Sequence, residues 1–185
     1  MVERIMLKNV RRIDPVSGTD EVRDVCLVEG REVEPSEQRT SDMLKVDCTG
    51  AVLSPAFVDL HCHLREPGLE YKETIRTGTA AAAAGGFATV CCMPNTRPPL
   101  DNALGIRELL AIASRVAFVN VLPVAAVTIG QQGTGLVNVP DVANSGAVAL
   151  SDDGRYVADP VVMRDALKAA DAVGMPVMDH AQDDA

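Results

Sequence analysis

Two of the three histidines in the chain are separated by a single residue, a spacing that suits metal binding. His61 and His63 flank Cys62 and follow a nearly continuous apolar run, which is typical of a strand buried on both faces. Because side chains alternate between the faces of a strand, both imidazoles should point the same way, and Cys62 the other way, towards a helical layer. Two imidazoles on one side can chelate one metal ion. Alone, the pair is weak support, since two partly buried histidines with ordinary hydrogen bonds are a more frequent explanation.

Other polar residues also follow apolar runs that are typical of buried strands. They are Asn95, the pair Asp152 and Asp153, and His180. Imidazole and carboxylate groups together suit zinc or a similar divalent ion. Each residue also has an ordinary explanation: Asn95 could belong to a turn, the two aspartates to a turn or a helix cap, and Arg65 to the charged surface. Their common placement at strand ends favours one metal site over unrelated turns.

The elements that must position these residues alternate between strands and helices. Apolar runs predict strands at residues 52–60, 87–93, 116–127, 146–151 and 175–178. Helical patterns lie between them at residues 73–84, 101–114 and 160–173, whereas residues 130–145 show no clear helix. This alternation indicates a parallel sheet. Because several strand ends supply polar residues, we favour a (β/α)8 barrel of the TIM type, whose strand ends converge on one face, over an open doubly wound sheet.

Residues 1–51 have a different pattern. Short runs with β-branched residues, a turn cluster at residues 14–18 and a polar loop at residues 35–42 predict a small β segment with too few strands to fold alone. We therefore expect a small β segment at 1–51, part of a composite β domain, and the N-terminal portion of a barrel at 52–185. A complete barrel takes about 250 residues, so we expect a partial barrel of about five strands.

Composition excludes several classes of function. The 185 residues are 47% hydrophobic and carry a net charge of −9, which indicates a globular protein and argues against nucleic acid or an anionic membrane as the main partner. The first ten residues include Glu3, Arg4 and Lys8, unlike a signal peptide, and no apolar stretch is long enough to span a bilayer. Five cysteines without a CxxC spacing are typical of reduced thiols in a cytoplasmic protein.

The motifs together resemble those of the type I bacterial dihydroorotases, within the amidohydrolase superfamily. The resemblance rests on PAFVDLHCHLREPG (residues 55–68), YKET (71–74), GGF (85–87), MPNTRPP (93–99), SDDG (151–154) and MDHA (178–181). It covers the chain weakly before residue 50 and strongly from residue 52. Ala56 stands where that family usually has glycine, and Gln182 where it usually has an acid.

The resemblance implies two zinc ions in the complete site. Their ligands would be His61 and His63 for the first ion, His180 for the second, and Asp153 as the bridge; the preference for Asp153 over Asp152 comes from the family pattern alone. Many relatives, including hydantoinases, instead bridge their metals with a carboxylated lysine on a barrel strand. The four lysines of this chain fall outside the predicted barrel strands, which favours dihydroorotase over hydantoinase.

The resemblance also implies the reaction, the reversible hydrolysis of dihydroorotate to N-carbamoyl-L-aspartate in pyrimidine biosynthesis. Arg65 and Asn95 would hold the substrate carboxylate, since a guanidinium group binds carboxylate with two parallel hydrogen bonds. The family's general acid–base aspartate would lie beyond residue 185, so we expect a fragment with little turnover of its own.

Two alternatives remain open from the sequence. One is a non-catalytic dihydroorotase-like scaffold for aspartate transcarbamoylase, and the other is a related cyclic amidase of the hydantoinase or allantoinase type. Scaffolds of this kind typically lose metal ligands, whereas this chain keeps all those that its length allows. Association as a homo-oligomer or with aspartate transcarbamoylase also stays open.

Overall fold

The chain separates into two compact units, Met1–Ala56 and Phe57–Ala185. The structure, a computed structural model, describes residues 4–34 and 40–182, so the polar loop expected at residues 35–42 lies mostly outside the described residues. Among the described residues, no helix has the length and apolar character needed to cross a lipid bilayer.

The first unit is built on a five-stranded sheet. Its strands are β1 (Arg4–Asp14), β2 (Thr19–Val28), β3 (Arg31–Val33), β4 (Leu44–Asp47) and β5 (Val52–Leu53). The order is β3-β2-β1-β4, with β5 also paired to β1. Strands β1 and β2 form an antiparallel hairpin, and the Asp14 carboxylate closes its turn by accepting the Val16 N–H at 3.0 Å. This sheet confirms the small β segment predicted from the sequence.

The second unit alternates strands with helices. Its elements are β6 (Phe57–Cys62), α1 (Ile75–Ala84), β7 (Phe87–Cys92), α2 (Ala103–Val116), β8 (Asn120–Ala125), α3 (Val139–Asn144), β9 (Ala149–Leu150) and α4 (Pro160–Asp171). All strand pairs are parallel, and the sheet order β6-β7-β8-β9 follows the chain. A doubly wound sheet reverses its order at a switch point, whereas a barrel does not. The order therefore confirms a partial (β/α)8 barrel.

The strand expected at residues 175–178 is present as a single parallel bridge. Val177 pairs with Leu150 of β9. The Leu150 N–H donates to the Pro176 carbonyl at 3.0 Å, and the Met178 N–H donates to the Leu150 carbonyl at 2.8 Å. The backbone therefore continues the parallel sheet beyond β9.

The helices begin where polar side chains can accept hydrogen bonds from free backbone N–H groups. Thr74 caps α1 by accepting from Thr77 N at 3.1 Å, and Asn102 caps α2 by accepting from Gly105 N at 3.0 Å. Asp159 caps α4, which starts on a proline. The apolar faces pack on the sheet around a core that includes Ile75, Val90, Ile106, Leu109, Leu150 and Ala166.

The apolar run at residues 52–60 is not the single buried strand that the sequence predicts. Val52–Leu53 pairs with β1 in the first unit, and the barrel strand begins only at Phe57. Along β6, Val58 and Leu60 are 55% and 63% exposed. The reason is that β6 is an edge strand, which pairs with β7 alone among the described residues.

Residues 130–145, which show no clear helical pattern, contain one short helix. Helix α3 has six residues, with Pro140 in its first turn, and is capped by the Asn138 side chain. A short 3-10 helix, Ile129–Gln131, precedes it. A helix shorter than two turns presents too few apolar positions for a periodic pattern to be recognised.

Candidate metal centre

Three predicted ligands meet at the carboxyl ends of the barrel strands. The Nε2 atom of His61 lies 3.1 Å from Oδ1 of Asp153, and Nε2 of His63 lies 3.6 Å from Oδ2 of the same carboxylate. One ligand atom from each of the three residues lies within 4.8 Å of the other two. Two imidazole nitrogens and a carboxylate oxygen at this spacing form a donor set that suits a divalent metal ion.

Sheet curvature is what brings these ligands together. His61 belongs to β6 and Asp153 follows β9, which are the two ends of the four-strand order. In a flat sheet, three strand spacings would separate these strands by about 14 Å. The contact of 3.1 Å between them therefore requires the sheet to curl as a barrel wall does.

The two neighbouring aspartates have separate roles. The Oδ1 atom of Asp152 accepts the backbone N–H groups of Val127 and Thr128 at 2.8 and 3.1 Å, and its Oδ2 accepts the Thr128 hydroxyl. Asp152 therefore anchors the backbone that follows β8, and both of its oxygens are occupied. The carboxylate of Asp153 instead faces the two histidines.

Asn95 connects two members of the cluster. Its Oδ1 lies 3.0 Å from Nδ1 of His63, and its Nδ2 donates to Oδ2 of Asp153 at 2.8 Å. Asn95 follows β7, between the strands that carry the two partners in the sheet order. The predicted substrate-binding residue therefore also contacts two of the three candidate ligands.

The backbone of Asp153 is held by two further side chains. Its N–H donates to Oγ of Ser151 at 3.1 Å, and its carbonyl accepts from Nε2 of Gln131 at 3.3 Å. Sequence reasoning missed Gln131, which adopts a positive φ of 55° at the end of the 3-10 helix. No sequence signal could have identified it, because the contact joins residues 22 positions apart across two loops.

Arg65 follows the histidine pair in a left-handed backbone conformation, with φ of 60°. A non-glycine residue adopts this conformation at some cost, often at a functional site. The loop is tightly packed: Gly68 has φ of +88°, and a Cβ atom there would lie 1.9 Å from the Arg97 carbonyl oxygen. Within the described part of the chain, the Arg65 guanidinium makes no ion pair or hydrogen bond.

His180 lies outside the group formed by His61, His63 and Asp153. Its Nδ1 atom is buried and has no hydrogen-bond partner among the described residues. Buried polar side-chain atoms nearly always have a partner. This nitrogen is therefore available to a ligand, although the structure does not bring it into the three-residue cluster.

Cys62 packs away from the histidines, as strand alternation predicts. It lies against the core cluster beneath the helices and pairs in register with Cys92 of β7. Burial, with a smaller contribution from the negative charge of Asp59, raises the pKa of the Cys62 thiol to about 12. Burial also raises the pKa of Cys92 to about 12. Both thiols therefore stay protonated near neutral pH and are poor metal ligands.

We expect Cys62 and Cys92 to resist alkylation in the native protein. With a pKa near 12, the thiolate fraction at mildly alkaline pH is roughly 10³-fold below that of a free cysteine. Iodoacetamide labelling followed by peptide mass spectrometry measures this difference, with the urea-unfolded protein as the control. Labelling of either cysteine at the same rate in the folded and unfolded protein would contradict it.

Comparison with known proteins gives close sequence relatives. The family described as Dihydro-orotase-like matches residues 50–185. A dihydroorotase of Solibacter usitatus is 44% identical over 180 residues, which are 97% of this chain and 42% of that protein. A dihydroorotase of Anaeromyxobacter sp. (strain K) is 45% identical over 185 residues, covering 99% of this chain and 43% of that protein. The chain thus spans about two fifths of the length of these relatives.

Solved structures share the fold at lower identity. The L-hydantoinase (dihydropyrimidinase) of Arthrobacter aurescens matches with a TM-score of 0.80 and 20% identity over 99% of this chain and 41% of its own. An enamidase of the amidohydrolase superfamily matches with a TM-score of 0.69 and 17% identity, over 97% of this chain and 50% of its own. At such identities, these matches support the fold alone.

Proposed function

The chain belongs to the dihydro-orotase-like family, and we propose that the intact protein is a metal-dependent dihydroorotase. Its reaction would be the reversible hydrolysis of dihydroorotate to N-carbamoyl-L-aspartate, a step of pyrimidine biosynthesis in the cytoplasm. The observation that carries the proposal is the convergence of His61, His63 and Asp153 within 4.8 Å. Relatives at 44 and 45% identity, each named dihydroorotase, point to the same reaction.

Zinc is the metal that we propose, because two imidazoles and a carboxylate are typical of its protein sites. His61 and His63 would hold one ion, and Asp153 would share it with a second. His180 would offer the second ion its buried Nδ1, which has no hydrogen-bond partner among the described residues. When bound, zinc supplies Lewis-acid chemistry, which makes water a usable nucleophile near neutral pH. No lysine lies on β6, β7, β8 or β9, so Asp153, which follows β9, is the candidate bridge.

Arg65 and Asn95 are proposed to hold the substrate carboxylate. The guanidinium of Arg65 has no ion pair within the described residues, so a bidentate carboxylate could bind it without displacing a protein partner. Asn95 contacts the candidate ligands His63 and Asp153. Contacts of this kind fix the ring orientation relative to the cluster, which lowers the entropic part of the barrier.

The experiment that tests the proposal is a hydrolysis assay on the intact protein, combined with metal analysis. We expect turnover of dihydroorotate, bound zinc, loss of both on chelation, and recovery on zinc addition. Hydantoin and allantoin serve as comparison substrates, and preferred turnover of either would favour another cyclic amidase. Absence of both zinc and turnover would favour the non-catalytic scaffold and overturn the proposal.

A further inference from the structure

The Asn95 amide lies between two candidate metal ligands and has a different partner for each of its polar atoms. Oδ1 faces Nδ1 of His63 at 3.0 Å, and Nδ2 faces Oδ2 of Asp153 at 2.8 Å. The Asp153 side chain is buried, and the His63 side chain is about one third exposed. The contacts span 32 and 58 positions of the chain, so they join three separate strand ends.

The carboxylate determines which way this amide must face. An ionised carboxylate only accepts hydrogen bonds, so the amide group directed at Asp153 must be the NH2 donor. The carbonyl oxygen then faces His63, and a carbonyl oxygen only accepts. Nδ1 of His63 must therefore carry the proton and donate it to Oδ1 of Asn95. In a neutral imidazole, this leaves the lone pair on Nε2.

The atom left with the lone pair is the one that faces the cluster. Nε2 of His63 lies 3.6 Å from Oδ2 of Asp153, on the side of the ring opposite the Asn95 contact. A metal ion binds a histidine nitrogen through this lone pair, and the partner of the other ring nitrogen sets the tautomer. A ring with the reverse tautomer would present N–H to the metal position instead.

We propose that Asn95 is a positioning residue that holds His63 in its Nδ1–H tautomer and orients the Asp153 carboxylate, so that both present lone pairs to one metal ion. This inference rests on the metal site of the proposed function but not on its substrate. It is compatible with a contact to substrate, because the NH2 group of Asn95 has a second hydrogen that Asp153 does not use.

The test uses the intact protein with 15N-labelled histidine. Long-range proton–nitrogen NMR spectra report the tautomer of each histidine ring, and the His63→Gln variant identifies the signals of His63. In the metal-free protein at mildly alkaline pH, we expect His63 as the Nδ1–H tautomer. Asn95→Ala should lose that preference and should weaken zinc binding about 10- to 100-fold, the usual effect of removing a group that orients a metal ligand. Competition with a chromophoric chelator measures the affinity.

Two further variants separate the tautomer effect from general damage. Asn95→Asp keeps an acceptor for His63 and should therefore keep the Nδ1–H tautomer, even if Asn95→Ala does not fold. Asn120→Ala removes an amide from the opposite end of the neighbouring strand β8. Within the described part of the chain, this amide makes one side-chain hydrogen bond, to Thr89 Oγ1 at 3.4 Å, so the variant should change neither readout.

The inference is overturned if His63 in the wild type is the Nε2–H tautomer, or if Asn95→Ala leaves either the tautomer or the zinc affinity unchanged. Failure of the dihydroorotase proposal would look different. The protein would then not hydrolyse dihydroorotate, while the tautomer of His63 in the metal-free protein would still respond to Asn95→Ala.

Discussion

Asp153→Asn should abolish metal-dependent activity and leave the fold intact. The carboxylate faces Nε2 of both His61 and His63. It is the negatively charged member of the three-residue cluster. A neutral amide of the same size is a much weaker ligand for a divalent ion. We expect kcat/KM to fall by at least about 10³-fold, which corresponds to roughly 4 kcal/mol of transition-state stabilisation.

Zinc content, kcat/KM and Tm of the intact protein should be measured together. Because asparagine fills the same space and removes a buried charge, Tm should change by no more than about 3 °C when both proteins are compared without metal. Asp165→Asn is the matched control, since Asp165 is a partly exposed carboxylate on α4 whose ion pair, among the residues described, is with neighbouring Arg164 at 2.7 Å. The assignment of Asp153 as a ligand fails if Asp153→Asn keeps both its zinc and its turnover.

Asp152→Ala, unlike Asp153→Asn, should cause a large loss of stability. Its carboxylate accepts hydrogen bonds from the backbone N–H groups of Val127 and Thr128 and from the Thr128 hydroxyl, and all of these contacts are buried. Alanine would leave three buried donors without their acceptor, each at a cost of about 1–3 kcal/mol that is not fully additive. We expect the free energy of unfolding to fall by about 3–5 kcal/mol, the partly additive sum for three such donors.

Urea unfolding of the intact protein measures this loss. Asp152→Asn provides a graded comparison, because its one carbonyl oxygen can still accept both backbone N–H groups while the charge is lost. It should cost about 1–2 kcal/mol and should keep the zinc affinity near that of the wild type. An unfolding midpoint for Asp152→Ala equal to that of the wild type would show that Asp152 does not anchor the loop.

The helices and the order of the elements could be predicted because their signals are local. Thr74 and Asn102 cap helices close to the predicted starts, and Pro160 opens α4. The ends of the apolar run at residues 52–60 could not be predicted in the same way. Its first part pairs with β1 and its second with β7, and hydrophobicity does not distinguish one sheet from another.

The same distinction between local patterns and long-range contacts applies to the candidate site. The types of His61, His63 and Asn95, and their places after strands, were readable because strand alternation and barrel topology depend on local pattern and chain order. The choice between Asp152 and Asp153 was not readable from the residues, because side-chain alternation is no guide past the end of a strand. In the structure, Asp152 contacts the backbone after β8, whereas the Asp153 carboxylate faces His61 and His63. These contacts favour Asp153 as the proposed ligand.

The sequence by itself determined which residues could bind a metal and that they follow successive parallel strands. Only the tertiary structure decided which of them meet. His61 and Asp153 come from strands at opposite ends of the sheet, so their contact depends on the curvature summed over four strands. Asn95 then joins His63 to Asp153 through hydrogen bonds that span 32 and 58 residues. Neither curvature nor such long-range contacts can be read from local pattern, because both arise from packing of the whole sheet.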